Sequence, residues 1–257
     1  MTKASFFNGQ RSSFFHILWI TALILCSASS CDEEKIVPKP ESTSLNKIMP
    51  LGASRVEGAR PDFESYRYEL WKLLAAEGWD FDYIGTRTDG ASYEGLPDLP
   101  FDPDHEGRGG WTSGEILGGI GSWVRAVGAP DIVLFSSPGG NDILNGLAAY
   151  EETVANINAI IDTLQAANPN VTIIIEQLAP GMSSFMTPKS TSDFNKMQEE
   201  VLTIAAEQTN STSVVITVDM FTGFNDSLLA DDVHYNEAGA KFIADRYYTV
   251  LIDILRP

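Results

Sequence analysis

Asp231 stands three residues before His234 in the polar run Asp231-Asp232-Val233-His234-Tyr235-Asn236. A carboxylate beside an imidazole can hold it in one tautomer and make it a better base. Histidine is scarce here, three in 257 residues, so this pairing stands out. Read as structure alone, the run is a capping loop, with Asn236 as N-cap of the last helix and the aspartates near its positive end. Acyl transfer needs more than a base: it needs a nucleophile and donors for the developing oxyanion. Ser54, in Gly52-Ala53-Ser54, offers a hydroxyl. The backbone N–H groups of Ser54 and Gly110, and the side-chain amide of Asn141 in Gly139-Gly140-Asn141-Asp142, offer donors. Glycine at 110 lets the backbone approach a ligand closely. Each piece alone reads as an ordinary turn, loop or cap. Their placement decides between the readings.

That placement comes from alternating apolar runs and amphipathic segments from Asn46 onward, the pattern of a parallel sheet covered on both faces. Strands are expected at Lys47–Leu51, Phe81–Ile84, Asp131–Phe135, Val171–Ile175 and Val214–Val218. The first helix is expected to be capped by Asp62, with Phe63, Tyr66, Leu70, Leu73 and Leu74 on one face and Gly78 at its end. Ser113–Val127 reads as a helix whose glycines imply close packing. Further helices carry Val154, Ile157, Ile161 and Leu164, then Phe194, Met197, Val201 and Ile204. Ala238–Leu255 closes the chain. The fold class is α/β: one three-layer α/β/α sandwich with a central, mostly parallel five-stranded sheet. Sites in such sheets gather beyond the carboxyl ends of the strands. Ser54 follows the first expected strand, Gly110 ends the long loop after the second, and Asn141 follows the third. His234 follows the fifth after a short excursion.

Composition narrows the function classes. A formal charge of −18 argues against nucleic-acid binding, which needs a basic face. The only cysteines, Cys26 and Cys31, lie near the N-terminus, so the remaining chain has no disulfide framework and no cysteine zinc site. Residues 1–30 read as an export signal: Lys3 and Arg11, then an apolar run from Phe14 to Cys26 too short to span a bilayer comfortably. Ser27-Ala28-Ser29-Ser30-Cys31 resembles a bacterial lipoprotein signal, with Ala28 where leucine is usual. That resemblance implies lipidation of Cys31 and a membrane-anchored lipoprotein at the outer membrane or cell surface. A cleaved signal giving a periplasmic or secreted protein is the second reading. Residues 31–45 read as an acidic flexible tether, and 46–257 as the folded domain.

In order, these blocks resemble the SGNH hydrolase superfamily of GDSL-type esterases. Ser54 matches its block I serine, Gly110 its block II glycine, Asn141 its block III asparagine, and Asp231 with His234 its block V pair. Ile48-Met49-Pro50-Leu51-Gly52 and His105-Glu106-Gly107 with Gly110 are most similar to the third carbohydrate esterase family, which includes acetylxylan esterases. The resemblance implies a flavodoxin-like fold and a Ser54–His234–Asp231 triad without cofactor or metal. It also implies a serine esterase for short acyl groups, such as O-acetyl groups on carbohydrate. The Gly-Asp-Ser and Ile-Thr of the family are replaced by Gly52-Ala53-Ser54 and Arg55-Val56. Arg55 is expected to pair locally with Glu57, with substrate contact as the alternative.

Other readings compete. Asp102-Pro103-Asp104-His105-Glu106-Gly107 imitates the start of a calcium loop, but the twelfth position, which needs an acid, is Ser113. Ser54 lacks the second glycine of Gly-x-Ser-x-Gly, because position 56 is Val. An arylesterase or lysophospholipase, or a non-catalytic glycan-binding surface lipoprotein, stays open. Apolar residues in the expected rim loops (Tyr93, Leu96, Leu99, Phe101, Trp111, Met182, Phe185, Met186) suit a sugar platform or an acyl groove equally.

Overall fold

The structure, a computed structural model, describes residues 36–97 and 99–257. The expected export signal and Cys31 lie outside the described residues. In chain order the elements are β1 (Lys47–Gly52), α1 (Ser54–Glu57), α2 (Tyr66–Ala76), β2 (Asp82–Tyr83), β3 (Arg87–Thr88) and β4 (Asp104–Gly107). Then come α3 (Ser113–Val127), β5 (Ile132–Phe135), α4 (Gly140–Asn145), α5 (Tyr150–Ala167), β6 (Thr172–Gln177), α6 (Pro188–Gln208), β7 (Val214–Asp219) and α7 (Glu237–Leu251).

The five expected strands are β2, β1, β5, β6 and β7, side by side in that order and parallel throughout. This is the 2-1-3-4-5 order of flavodoxin-like folds, which places the topological switch between β1 and β5. Among the described residues, however, the sheet has seven strands rather than five. β2 pairs with the first residues of β1, and β4 takes over the same edge at Leu51 and Gly52, with β3 antiparallel outside it. Pattern reading places β4 in a loop because Asp-His-Glu-Gly carries no apolar alternation. Its His105 and Glu106 side chains are instead buried and paired. Glu106 accepts from the Thr86 N–H and from Arg108, and His105 Nδ1 accepts from the Gly107 N–H. The segment imitating a calcium loop is therefore this strand, with Asp102 accepting the Tyr83 and Asp104 N–H groups.

Alternate strand residues feed two cores. Met49, Val133, Ile173 and Ile175 meet α3, α5 and α6, while Ile48, Leu134, Ile174 and Val218 meet α2 and α7. Strands apolar on both faces are what a doubly covered sheet requires. α3 has the expected bounds because Thr112 and Glu115 form a capping box. Gly119 leaves room for the Trp123 ring, which a Cβ there would meet at 1.9 Å.

The first long helix begins later than expected. Ser65, not Asp62, is its N-cap, accepting from the Arg67 N–H, so Phe63 lies in the preceding loop. Before β1, residues 36–45 form no regular element. Lys39 nevertheless bonds to Ala126 through its N–H and to Asp104 through its ammonium, and Ile36 packs on the core.

Candidate active site

Ser54 is the first residue of α1, the single turn that breaks out of β1 at the switch point. The N–H groups of Val56 and Glu57 both reach back to the Ala53 carbonyl at 3.0 Å, so backbone bonds close the turn that presents the hydroxyl. From the other end of the chain, the loop before α7 brings in His234. The expected Asn236 cap is present: its side chain accepts the Gly239 N–H. His234 Nε2 lies 2.8 Å from Ser54 Oγ, and His234 Nδ1 lies 2.7 Å from Asp231 Oδ2. Asp231 Oδ1 also accepts the N–H groups of Val233 and His234. Burial alone would push the Asp231 carboxyl up. The donors of Val233 and His234 overcome this and hold it below the usual carboxylate range. An ionised Asp231 can only accept, so Nδ1 carries the proton and bare Nε2 faces the serine hydroxyl.

Asn141 opens α4, beyond β5. Its amide donates to the Trp111 carbonyl at 2.8 Å, which leaves the second N–H of the group for a ligand. Its neighbour Asp142 accepts the Ser113 N–H and hydroxyl, tying α4 to the start of α3. Asn141 and Ser54 line one small hollow of about 40 Å³ together with Trp111, Ile116, Ser137 and Leu144. Gly110, at φ +80°, sits in the turn closed by the Trp111 N–H on Arg108. A Cβ on its neighbour Gly109 would come within 3.9 Å of the Ser54 Cβ, so this turn flanks the serine. The expected residues from four separate loops thus converge on one rim.

Arg55 does not pair with Glu57. It is 8% exposed and donates through Nε to the Val233 carbonyl, through Nη1 to Ala179 and through Nη2 to Pro180. Its guanidinium also lies over the Tyr235 ring. Glu57 turns the other way, to Arg87 and the Gly109 N–H. Arg55 therefore straps the serine turn to the histidine loop, and Glu57 straps it to the Gly109-Gly110 turn. Sequence reasoning missed both, since neither partner is near in sequence. It also missed Phe63, whose ring stacks on His234 at 3.8 Å between centroids.

Of the apolar rim candidates, only Trp111 lines the hollow at Ser54. Tyr93 and Phe101 are packed against Tyr68. Met186 borders a separate, larger groove of about 690 Å³ with Phe194, Phe221 and Phe224.

A 2-1-3-4-5 sheet with hydroxyl, imidazole and carboxylate in series at its switch point defines an α/β protein of the hydrolase type. The chain belongs to the GDSL-like Lipase/Acylhydrolase family, whose model matches residues 52–242. Among solved structures it is similar to a carbohydrate esterase family 3 protein from Talaromyces cellulolyticus, at 28% identity and TM-score 0.71, covering 81% of this chain and 97% of that one. It is similar to a family 3 carbohydrate esterase from Clostridium thermocellum at 32% identity and TM-score 0.66, covering 82% and 97%. An acetyl esterase mutant solved with acetate is 27% identical at TM-score 0.67, covering 81% and 97%. No curated protein matches. The chain is a carboxylic ester hydrolase.

Proposed function

We propose that the protein is a serine esterase that removes short acyl groups, O-acetyl on carbohydrate above all. The observation that carries this reading is the unbroken series from Ser54 Oγ through His234 to Asp231, at 2.8 and 2.7 Å. Ser54 Oγ attacks the ester carbonyl carbon while its proton passes to His234 Nε2, and Asp231 steadies the imidazolium. The N–H groups of Ser54 and Gly110 and the amide of Asn141 donate to the tetrahedral oxyanion. Collapse breaks the bond to the alcohol, which leaves with the proton from Nε2. Water then attacks the acyl-enzyme by the same route, and the acid departs.

The small hollow beside Ser54 favours a short acyl group. At about 40 Å³ it is far smaller than the 690 Å³ groove beside Met186, in which a long chain would have room. The acetyl and carbohydrate esterases among its structural relatives favour the same class. The test is a series of p-nitrophenyl esters of rising chain length beside acetylated xylan, with Ser54→Ala as control. Each methylene added beyond acetyl should lower kcat/KM by about 10- to 200-fold, the worth of a methylene in a tight apolar pocket. A preference for long acyl chains would favour the lipolytic reading, and full activity in Ser54→Ala would remove the mechanism.

The Ser29-Ser30-Cys31 sequence favours export and lipid anchoring. Metabolic labelling with palmitate, lost in Cys31→Ser, tests it. Equal labelling of the two would sink it.

A further inference from the structure

An imidazole can be held at two ring nitrogens and on two faces. Both nitrogens of His234 are engaged, by Asp231 and Ser54. One face is covered as well. The Phe63 ring lies on it with centroids 3.8 Å apart and the planes inclined by only 13°. The backbone holds Phe63 there. Its N–H and carbonyl exchange hydrogen bonds with Ala59, and the Glu64 N–H donates to the carbonyl of Tyr235, the residue after His234.

We propose that Phe63 is a positioning residue, acting through the imidazole that exchanges the proton; this rests on the esterase reading above. An aromatic face carries negative potential, so a flat contact favours imidazolium over neutral imidazole. Imidazolium is the species formed as the Ser54 oxygen bonds to the carbonyl carbon and its proton moves to Nε2. The ring is already in contact when that charge develops and needs no rearrangement. The same contact resists tipping of the imidazole out of the plane of its two hydrogen bonds, in which proton transfer is aligned. The other charged groups nearby are held by partners other than Phe63. Asp231 lies on Nδ1, the Arg55 guanidinium on the Val233 carbonyl, and the Arg60–Glu64 pair on the loop that carries Phe63.

The experiment measures kcat/KM for p-nitrophenyl acetate against pH in wild type, Phe63→Leu, Phe63→Tyr and Ser54→Ala. Loss of the aromatic face in Phe63→Leu should lower the plateau about tenfold. It should also move the acidic limb to lower pH, because the imidazolium has lost a stabilising contact. Phe63→Tyr keeps the face and should retain both plateau and limb. A merely structural loosening of the loop would lower the plateau and leave the limb where it is. A wild-type plateau in Phe63→Leu, an unmoved limb, or a Tyr variant that falls as far as Leu overturns the proposal. Phe63→Met replaces Leu should the latter not fold. Wild-type activity in Ser54→Ala would instead overturn the esterase reading itself, so the two failures are distinct.

Discussion

At the scale of single residues, Asn141 is the proposed oxyanion donor most open to test. Its amide is aimed by the Trp111 carbonyl, and removing it in Asn141→Ala should cost about 10²–10³ in kcat with little change in KM. Asp231 adds nothing to the acid side of the activity profile. Asp231 is held below the usual carboxylate range, so it remains ionised over the interval in which an imidazole titrates. Activity should therefore fall with the slope of a single proton on acidification. A two-proton slope in kcat/KM would show that Asp231 titrates with it. The meeting of Ser54, Asn141, Asp231 and His234 at one rim was legible because the proposed chemistry restricts residue type and the strand order restricts position. Phe63 was not, for a physical reason. An apolar residue just before Tyr66 and Leu70 fits a helical face, and only the Ser65 cap moves it into the loop that meets His234.

At the scale of elements, α1 is four residues long and anchored largely by side chains. Arg55 satisfies carbonyls of Val233, Ala179 and Pro180 at once, a fork that lysine cannot reproduce. Arg55→Lys should lower stability by about 2 kcal/mol, from buried carbonyls left without donors, as read from a denaturant midpoint. It should also lower kcat more than KM rises, because the Val233 bond sits beside His234. Unchanged stability would show that water or a neighbour replaces the fork. β4 is a second test, since Gly107 approaches α1 so closely that an added Cβ would lie 2.4 Å from the Glu57 nitrogen. That contact is with backbone, which cannot swing aside. β4 also shows where pattern reading ends. Strands buried by apolar packing announce themselves, whereas one buried through Glu106–Arg108 and Thr86 pairing looks like loop.

At the scale of the whole molecule, buried ionisable groups set how stability follows pH. Burial holds the imidazole of His105 well below its ordinary range, helped by Arg67, Arg87 and Arg108. The unfolded chain then binds the proton more readily than the folded one, so stability is lost as pH falls below about 6.5. The slope from this group is at most about 1.4 kcal/mol per pH unit. Asp102 works with the opposite sign, because burial raises its carboxyl to about 7 and folding then favours its protonated form. Comparing thermal melts of wild type and His105→Asn between pH 7 and 5 isolates the imidazole. The variant should lose less stability on acidification, and parallel curves would refute the assignment. The net charge of −18 acts at longer range. Esters of anionic glycans should react faster as salt rises, while neutral esters stay level. Equal salt responses would show that the field does not reach the site.

The hydroxyl and its imidazole partner are 180 positions apart in the chain. Synthesis runs from the N-terminus, so a growing chain carries the proposed nucleophile for 180 residues before its partner is made. On that reading, competence comes only when the segment carrying His234 is made and docks. A message cut short before the His234 codon would yield a chain without the proposed base, which on that mechanism cleaves no ester.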